Sequence, residues 1–156
     1  MIKGAHAIFV NSREAWATPA QLYKDLHKEF QFDFDPCPLM DREKAGLSLW
    51  GTDGLSKPWD GKRVYCNPPY GKGLERWLAK ATEADVAVYL LPSRTDTRWW
   101  HEYAMKATEI RFLKGRLKFG AAQYNAPFPS VVLVYLNRPD RCPTGYPSTR
   151  DNKCLA

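Results

Sequence analysis

The sequence predicts an α/β domain with a mainly parallel central sheet and an antiparallel hairpin at one edge. Three observations carry this. Apolar runs of strand length alternate with segments of helical periodicity. The run from Val86 to Leu91 is almost continuously apolar, as in a strand buried on both faces at the middle of a sheet. The last two apolar runs, around residues 110 and 130, are joined by a short connection that suits an antiparallel pair. A chain of 156 residues fills one such domain and is too short for two.

Taken in order, residues 1–15 read as an N-terminal arm, with a short strand at Ala7 to Val10. Thr18-Pro19 is a helix start, a capping hydroxyl followed by proline in the first turn. Leu22, Leu26 and Phe30 recur every fourth residue, so a helix over about Pro19 to Glu29 buries one stripe. Phe32-Asp33-Phe34-Asp35 alternates and meets Pro36, which predicts a strand ending at Asp35. Leu47 to Trp50 is a second strand candidate, followed by turns at Thr52 to Leu55 and at Trp59 to Lys62. Arg63 to Cys66 is a strand, Leu74, Trp77, Leu78 and Ala81 mark a helix, Val86 to Leu91 is the central strand, and Thr97 to Lys106 is helical. Ile110 to Leu113 and Ser130 to Leu136 close the sheet. The methyl-bearing and aromatic periodicity stops at Leu136, so 16–136 is the domain and 137–156, with its prolines and charges, a loose tail.

The most informative feature is Asn67-Pro68-Pro69-Tyr70, placed where a strand leaves the sheet. In an open α/β sheet that rim is where ligands bind. Proline lacks a backbone N–H and stiffens both itself and the residue before it. Pro68-Pro69 therefore offers carbonyl acceptors without donors, and Asn67 adds a side-chain carbonyl. The pair suits an –NH₂ group presented edge-on, with the Tyr70 ring beside it to stack on a planar heterocycle. An amine conjugated to a ring is a poor nucleophile, and two acceptors on its hydrogens return electron density to nitrogen. Its partner must be an in-line electrophile such as an activated methyl group. The competing reading is a rigid turn, since Asn-Pro and Pro-Pro are common turn dipeptides.

Other constellations carry weaker signals. Asp35-Pro36-Cys37 ends a strand, where the carboxylate either binds an ammonium or ribose hydroxyl or caps the following turn. No glycine-rich phosphate loop follows it. Asp53, before Gly54, is either a nucleoside contact or part of an Asp-Gly turn. Arg94 at a strand exit suits a phosphate, while Thr95 or Asp96 suits a helix cap. Gly115-Arg116-Leu117-Lys118-Phe119-Gly120 sets cations around an aromatic ring between glycines, either a nucleic-acid loop or a plain hairpin. Covalent thiol catalysis is disfavoured: Cys66 reads as core, and Cys37 lacks the downstream partner such chemistry needs. The three histidines are scattered and read as structural or surface residues.

Composition narrows the class. Hydrophobic residues reach 44% and aromatics 13%, which excludes a disordered chain. No apolar run approaches a membrane span, and no signal peptide opens the chain, so a cytoplasmic protein is expected. Cys37, Cys66, Cys142 and Cys154 form no C-x-x-C pair, so no metal site is expected. A net charge of +6, with six Trp and eight Tyr, is compatible with a phosphate-backbone partner and exposed bases.

The ordered set Trp16-Ala17-Thr18-Pro19, Asp35-Pro36-Cys37, Asp53-Gly54-Leu55, Asn67-Pro68-Pro69-Tyr70-Gly71, Arg94-Thr95-Asp96-Thr97 and Gly115-Arg116-Leu117-Lys118-Phe119 resembles the phage-type DNA N6-adenine methyltransferases, the Dam-like family of bacteriophages and prophages. The likeness spans about residues 14–136. It implies a Rossmann-like domain, S-adenosylmethionine as methyl donor and adenine in double-stranded DNA as acceptor, in a bacterial host's cytoplasm if phage-encoded. It implies that Asn67 and the Pro68 carbonyl hold the adenine amine, with Pro69 and Tyr70 completing the catalytic set and Tyr70 stacking on the flipped ring. Trp16, Thr18, Pro19, Asp35, Pro36 and Cys37 would contact the methionine end of the donor, and Asp53 its adenosine. Arg94, Asp96, Arg116 and Lys118 are the candidate DNA contacts. The tetrapeptide alone is shared with enzymes that methylate RNA or a protein glutamine. Those, and a non-catalytic DNA-binding module, are the alternatives.

Overall fold

The computed structural model describes residues 16–38, 54–120 and 124–138. The N-terminal arm, the strand candidate at residues 47–50, Asp53 and most of the tail lie outside them. Four strands form one sheet: β1 (Arg63–Cys66), β2 (Val86–Pro92), β3 (Glu109–Phe112) and β4 (Ser130–Leu136), in the spatial order β1-β2-β4-β3. β1 and β2 pair in parallel, with Val64 opposite Ala87. β4 runs antiparallel to both of its neighbours, pairing Val88 with Val134 and Ile110 with Leu133. The described sheet is therefore mixed, with one parallel and two antiparallel ladders.

The expected antiparallel pair forms at the sheet edge, β3 and β4 being consecutive strands that pair with each other. β4 slots between β2 and β3, leaving β3 outermost. The burial patterns give the reason. β4 is as apolar as β2 and buried along six of its seven residues, whereas β3 is only partly covered and carries the exposed Phe112. A strand apolar on both faces belongs in the interior of a sheet.

The expected strand over Phe32 to Asp35 contracts to one parallel bridge between Phe34 and Val64. Its polar residues are diverted: Asp33 Oδ1 accepts from the Arg63 amide at 2.8 Å, and Asp35 Oδ1 accepts from the Cys37 amide at 2.9 Å. Pro36 then ends the extended run.

Alternation of side chains sends successive strand residues to opposite faces. One face packs Val86, Val88 and Leu90 with Val132 and Val134 against α1 (Ala20–Phe30), through Tyr23, Leu26 and Phe30. The helix starts one residue later than its sequence predicts, and Tyr23 takes the inner stripe while Leu22 stays half-buried. The other face packs Ala87, Tyr89, Leu91, Leu133 and Tyr135 against α2 (Leu74–Ala79), α3 (Arg98–Glu102) and two 3₁₀ turns. The helical stretch expected over Thr97 to Lys106 is split into α3 and a 3₁₀ turn at Ala104–Lys106. Arg111 ties α1 to the β3 edge, donating to both Glu29 oxygens at 2.6 Å and to Glu109 at 2.7 and 2.8 Å. The turn at Trp59 to Lys62 forms as expected, closed by a 3.0 Å bond from the Lys62 amide to the Trp59 carbonyl.

Candidate active site

β1 delivers the tetrapeptide to the rim of the sheet. Val64 and Cys66 face the α2 side, Tyr65 faces α1, and Asn67 follows as a buried polar residue. After Tyr70, Gly71 accepts a 3.2 Å bond from the Leu74 amide, and Gly73 caps α2 at φ 90°. That left-handed backbone is open to glycine and strained for other residues.

The Asn67 amide is held at both ends. Its Nδ2 donates to the Trp16 carbonyl at 2.8 Å and to Thr18 Oγ1 at 3.2 Å. Thr18 Oγ1 lies 2.6 Å from the Tyr65 hydroxyl, a contact buried among side chains. Oδ1 faces the other way and accepts from the Tyr70 hydroxyl at 2.6 Å. The same hydroxyl lies 3.1 Å from the Leu90 carbonyl, towards the end of β2. Turning the amide over would set Oδ1 against the Trp16 carbonyl, acceptor against acceptor. Each nitrogen proton has an acceptor here, so the orientation is chemically fixed.

Thr18 was expected to cap α1 or to touch the donor. It does not cap α1. Pro19 occupies the N-cap position with no side-chain capping bond, and the Thr18 hydroxyl is committed 47 residues away, to Tyr65. Thr95 and Asp96 likewise do not cap α3, whose N-cap is Thr97 and whose Thr97 hydroxyl instead donates to the Arg94 carbonyl at 2.7 Å.

Three aromatic rings gather around Tyr70 of the tetrapeptide. Trp16 packs against Phe128 at 4.9 Å and edge-on to Phe119 at 5.3 Å. Tyr70 meets Phe128 edge-on at 5.8 Å, Trp16 at 6.4 Å and Phe119 at 6.5 Å. Edge-to-face and tilted pairs at these separations are favourable. Burial, with a smaller contribution from Cys66, pushes the Tyr70 phenol well above its ordinary value, so it stays a neutral donor. Burial pushes Tyr65 up as well, only partly offset by its bond to Thr18.

The Asp35-Pro36-Cys37 segment lies beside this network. The Phe34–Val64 bridge brings it to β1, and the Cys66 thiol, raised by burial, is hydrogen-bonded to Cys37. Asp35 is buried, 4% exposed, near Tyr65 and Tyr23. Gly54 presses on Pro36 so closely that an added Cβ would sit 2.1 Å from the Pro36 carbonyl oxygen. Asp53 itself lies outside the described residues.

Arg94 lines a cleft with Tyr70, Gly71, Leu74, Pro92 and Trp99. Asp96, Arg116 and Lys118 are exposed and stand outside the hydrogen-bonded network. The segment carrying Arg116 and Lys118 is nonetheless anchored at the site: Phe119 is buried there, and the Gly120 amide bonds to the Ala17 carbonyl at 2.8 Å. It is neither of the two strands of a plain hairpin. Tyr65, the Leu90 carbonyl and Phe128 belong to the site and escape a reading by motif. The alternation of β1 was the one available signal for Tyr65, because it sends that side chain to the α1 face with Thr18.

A polar acceptor fixed at a strand exit and walled by aromatic rings marks this rim of an α/β domain as the candidate site. The comparisons with known proteins give the family. The profile of the family described as DNA N-6-adenine-methyltransferase (Dam) matches residues 6–145, and the chain belongs to that family. A curated relative, the DNA N-6-adenine-methyltransferase of Haemophilus phage HP1, is 24% identical over 110 residues. That match takes in 66% of this chain and 64% of the relative's length. No solved structure matches.

Proposed function

We propose that this protein transfers a methyl group from S-adenosylmethionine to the N6 amine of adenine in double-stranded DNA, acting on a base turned out of the helix. The observation that carries the reading is the Asn67 amide. Both its donor bonds point back into the protein, leaving Oδ1 directed at the site and already engaged by a hydroxyl donor, Tyr70. An acceptor so held suits the –NH₂ of adenine. Family membership and the phage relative support the same chemistry.

We read the sheet as the core of a Rossmann-like fold. β1, β2 and the bridge at Phe34 run in parallel, and the site follows the C-terminal end of β1. The residues beside the tetrapeptide fit S-adenosylmethionine. Asp35 is a buried carboxylate suited to an ammonium group. Asp35, Pro36 and Cys37, with Trp16 and Pro19, would hold the methionine end, and Asp53 the adenosine. The bound donor supplies a methyl group activated by a positively charged sulfur.

The chain's own residues bind and orient. Asn67 Oδ1 and the Pro68 carbonyl accept the two amine protons, and Pro69 keeps that stretch rigid. The Tyr70 ring stacks on the purine, within the wall of Trp16, Phe119 and Phe128. Extruding a base costs a few kcal/mol, offset by stacking and edge hydrogen bonds. Positioning of the amine supplies much of the rate. Arg94, Arg116 and Lys118 neutralise phosphates, and Asp96 supports that surface.

The test is methyl transfer from S-adenosylmethionine to unmethylated duplex DNA, to tRNA and to a glutamine-bearing release-factor peptide, followed by digestion and mass analysis. N6-methyl-2′-deoxyadenosine from the DNA arm alone supports the reading. Methylation confined to RNA or peptide refutes it.

A further inference from the structure

We propose that Thr18 and Tyr65 are positioning residues that set the Asn67 amide, presenting its oxygen rather than its nitrogen to the substrate amine. The inference rests on the function proposed above. An asparagine side chain has two faces of nearly equal shape and opposite chemistry: one accepts hydrogen bonds and the other donates. An amide that presents –NH₂ to an adenine amine sets donor against donor and cannot hold it. Something in the protein must decide which way the group faces.

Two atoms do so here. The Trp16 carbonyl, an acceptor only, takes one Nδ2 proton at 2.8 Å, and Thr18 Oγ1 takes the other at 3.2 Å. A threonine hydroxyl can donate as well as accept, so alone it would tolerate either face. The buried Tyr65 hydroxyl, 2.6 Å from Thr18 Oγ1, holds the threonine oxygen in place. The chain Tyr65–Thr18–Asn67 crosses from the α1 face of the sheet to the site. It uses a fully buried tyrosine whose hydroxyl has no role at the surface. Thr18 therefore serves the acceptor half of the reaction, and not the methyl donor.

The test compares Thr18→Val, Thr18→Ser and Tyr65→Phe with the unaltered protein. Five quantities are read: melting temperature, S-adenosylmethionine affinity by calorimetry, kcat and KM on duplex DNA, and the ¹⁵N side-chain amide signal of Asn67, assigned by its loss in Asn67→Ala. Thr18→Val keeps the shape and removes the hydroxyl. It is expected to lower kcat about 10- to 100-fold, the scale of a misplaced reacting group, with donor affinity unchanged. The Asn67 amide protons should exchange with solvent faster. Thr18→Ser restores the oxygen and should recover kcat to within about twofold, while Tyr65→Phe falls between the two. Full kcat in Thr18→Val overturns the proposal, and so does a loss equal in Thr18→Val and Thr18→Ser. A fall in donor affinity with kcat unchanged also overturns it, by returning Thr18 to the donor site. If Thr18→Val does not fold, Tyr65→Phe and Thr18→Ser carry the same comparison. Should the unaltered protein methylate no DNA, the proposed function fails, whereas faster exchange of the Asn67 amide in Thr18→Val would still report the orienting contact.

Discussion

Replacing Tyr70 by phenylalanine separates two roles that one side chain combines. In the free protein its hydroxyl donates to Asn67 Oδ1 at 2.6 Å and approaches the Leu90 carbonyl at 3.1 Å. It thus occupies the acceptor assigned to the adenine amine, and the base must displace it. The ring, which the proposed function makes the stacking surface, survives the substitution. A hydrogen bond of this kind contributes about 0.5–1.5 kcal/mol net. Removing the competitor should tighten DNA binding about 2- to 13-fold, since about 1.4 kcal/mol is a factor of ten. The same change leaves Asn67 Oδ1 and the Leu90 carbonyl short of a donor in the free protein, at a cost of about 1–2 kcal/mol. Melting should therefore drop by roughly 2–8 °C, at about 2–4 °C per kcal/mol for a chain of this size. The assay is steady-state methylation of duplex DNA at saturating donor, with melting followed by circular dichroism. The expected pattern is a lower KM, a kcat within about threefold and a lower melting point. An unchanged or higher KM refutes the idea that Tyr70 holds the amine's place.

Three further outcomes follow from the geometry. Gly54→Ala drives a methyl group into the Pro36 carbonyl, 2.1 Å away. Backbone cannot yield as a side chain does, so stability should fall by about 1–3 kcal/mol and donor affinity with it, as chemical denaturation and calorimetry will show. Arg111→Ala unties α1 from β3 at partly exposed ion pairs; a loss of about 1 kcal/mol in urea unfolding, shrinking in high salt, is expected, with methylation unaffected. Tyr65 and Tyr89 are fully buried, and burial raises both phenols well above 10.0. The unfolded chain ionises them from about pH 10 while the folded one does not, so stability is complete below that pH and declines above it. Each steepens the decline by about 1.4 kcal/mol per pH unit; a stability flat from pH 9 to 11.5 contradicts this.

The parts of the fold that were legible in the sequence are those set by local pattern. The apolar runs gave β1, β2 and β4, and Gly71, Gly73 and Gly61 marked the turns that follow or precede them. What escaped depends on partners distant in the chain. A hydroxyl before proline obeys the local rule for a helix cap, yet Thr18 is drawn to Tyr65 and Asn67 by tertiary contact. The insertion of β4 between β2 and β3 is decided by which strand has two apolar faces to cover, a choice made only when the layers assemble. In the site, the tetrapeptide announced an acceptor. That Oδ1 is met by Tyr70's own hydroxyl, and that Phe128 completes the wall, is decided by tertiary packing that no local pattern announces. Arg94, Arg116 and Lys118 read as a DNA-facing surface in sequence and stand exposed or at a cleft here, which suits that role without assigning any contact.

The most direct measurement of the central claim is methylation by the Asn67→Ala protein. With S-adenosylmethionine and unmethylated duplex DNA, the unaltered chain should yield N6-methyl-2′-deoxyadenosine. Asn67→Ala should lose it by about 100-fold or more, with donor affinity unchanged, on the scale of removing one preorganised polar contact to the reacting group. Full turnover by a folded Asn67→Ala protein contradicts the account, because the amine would then be held by something other than the oxygen at the end of β1.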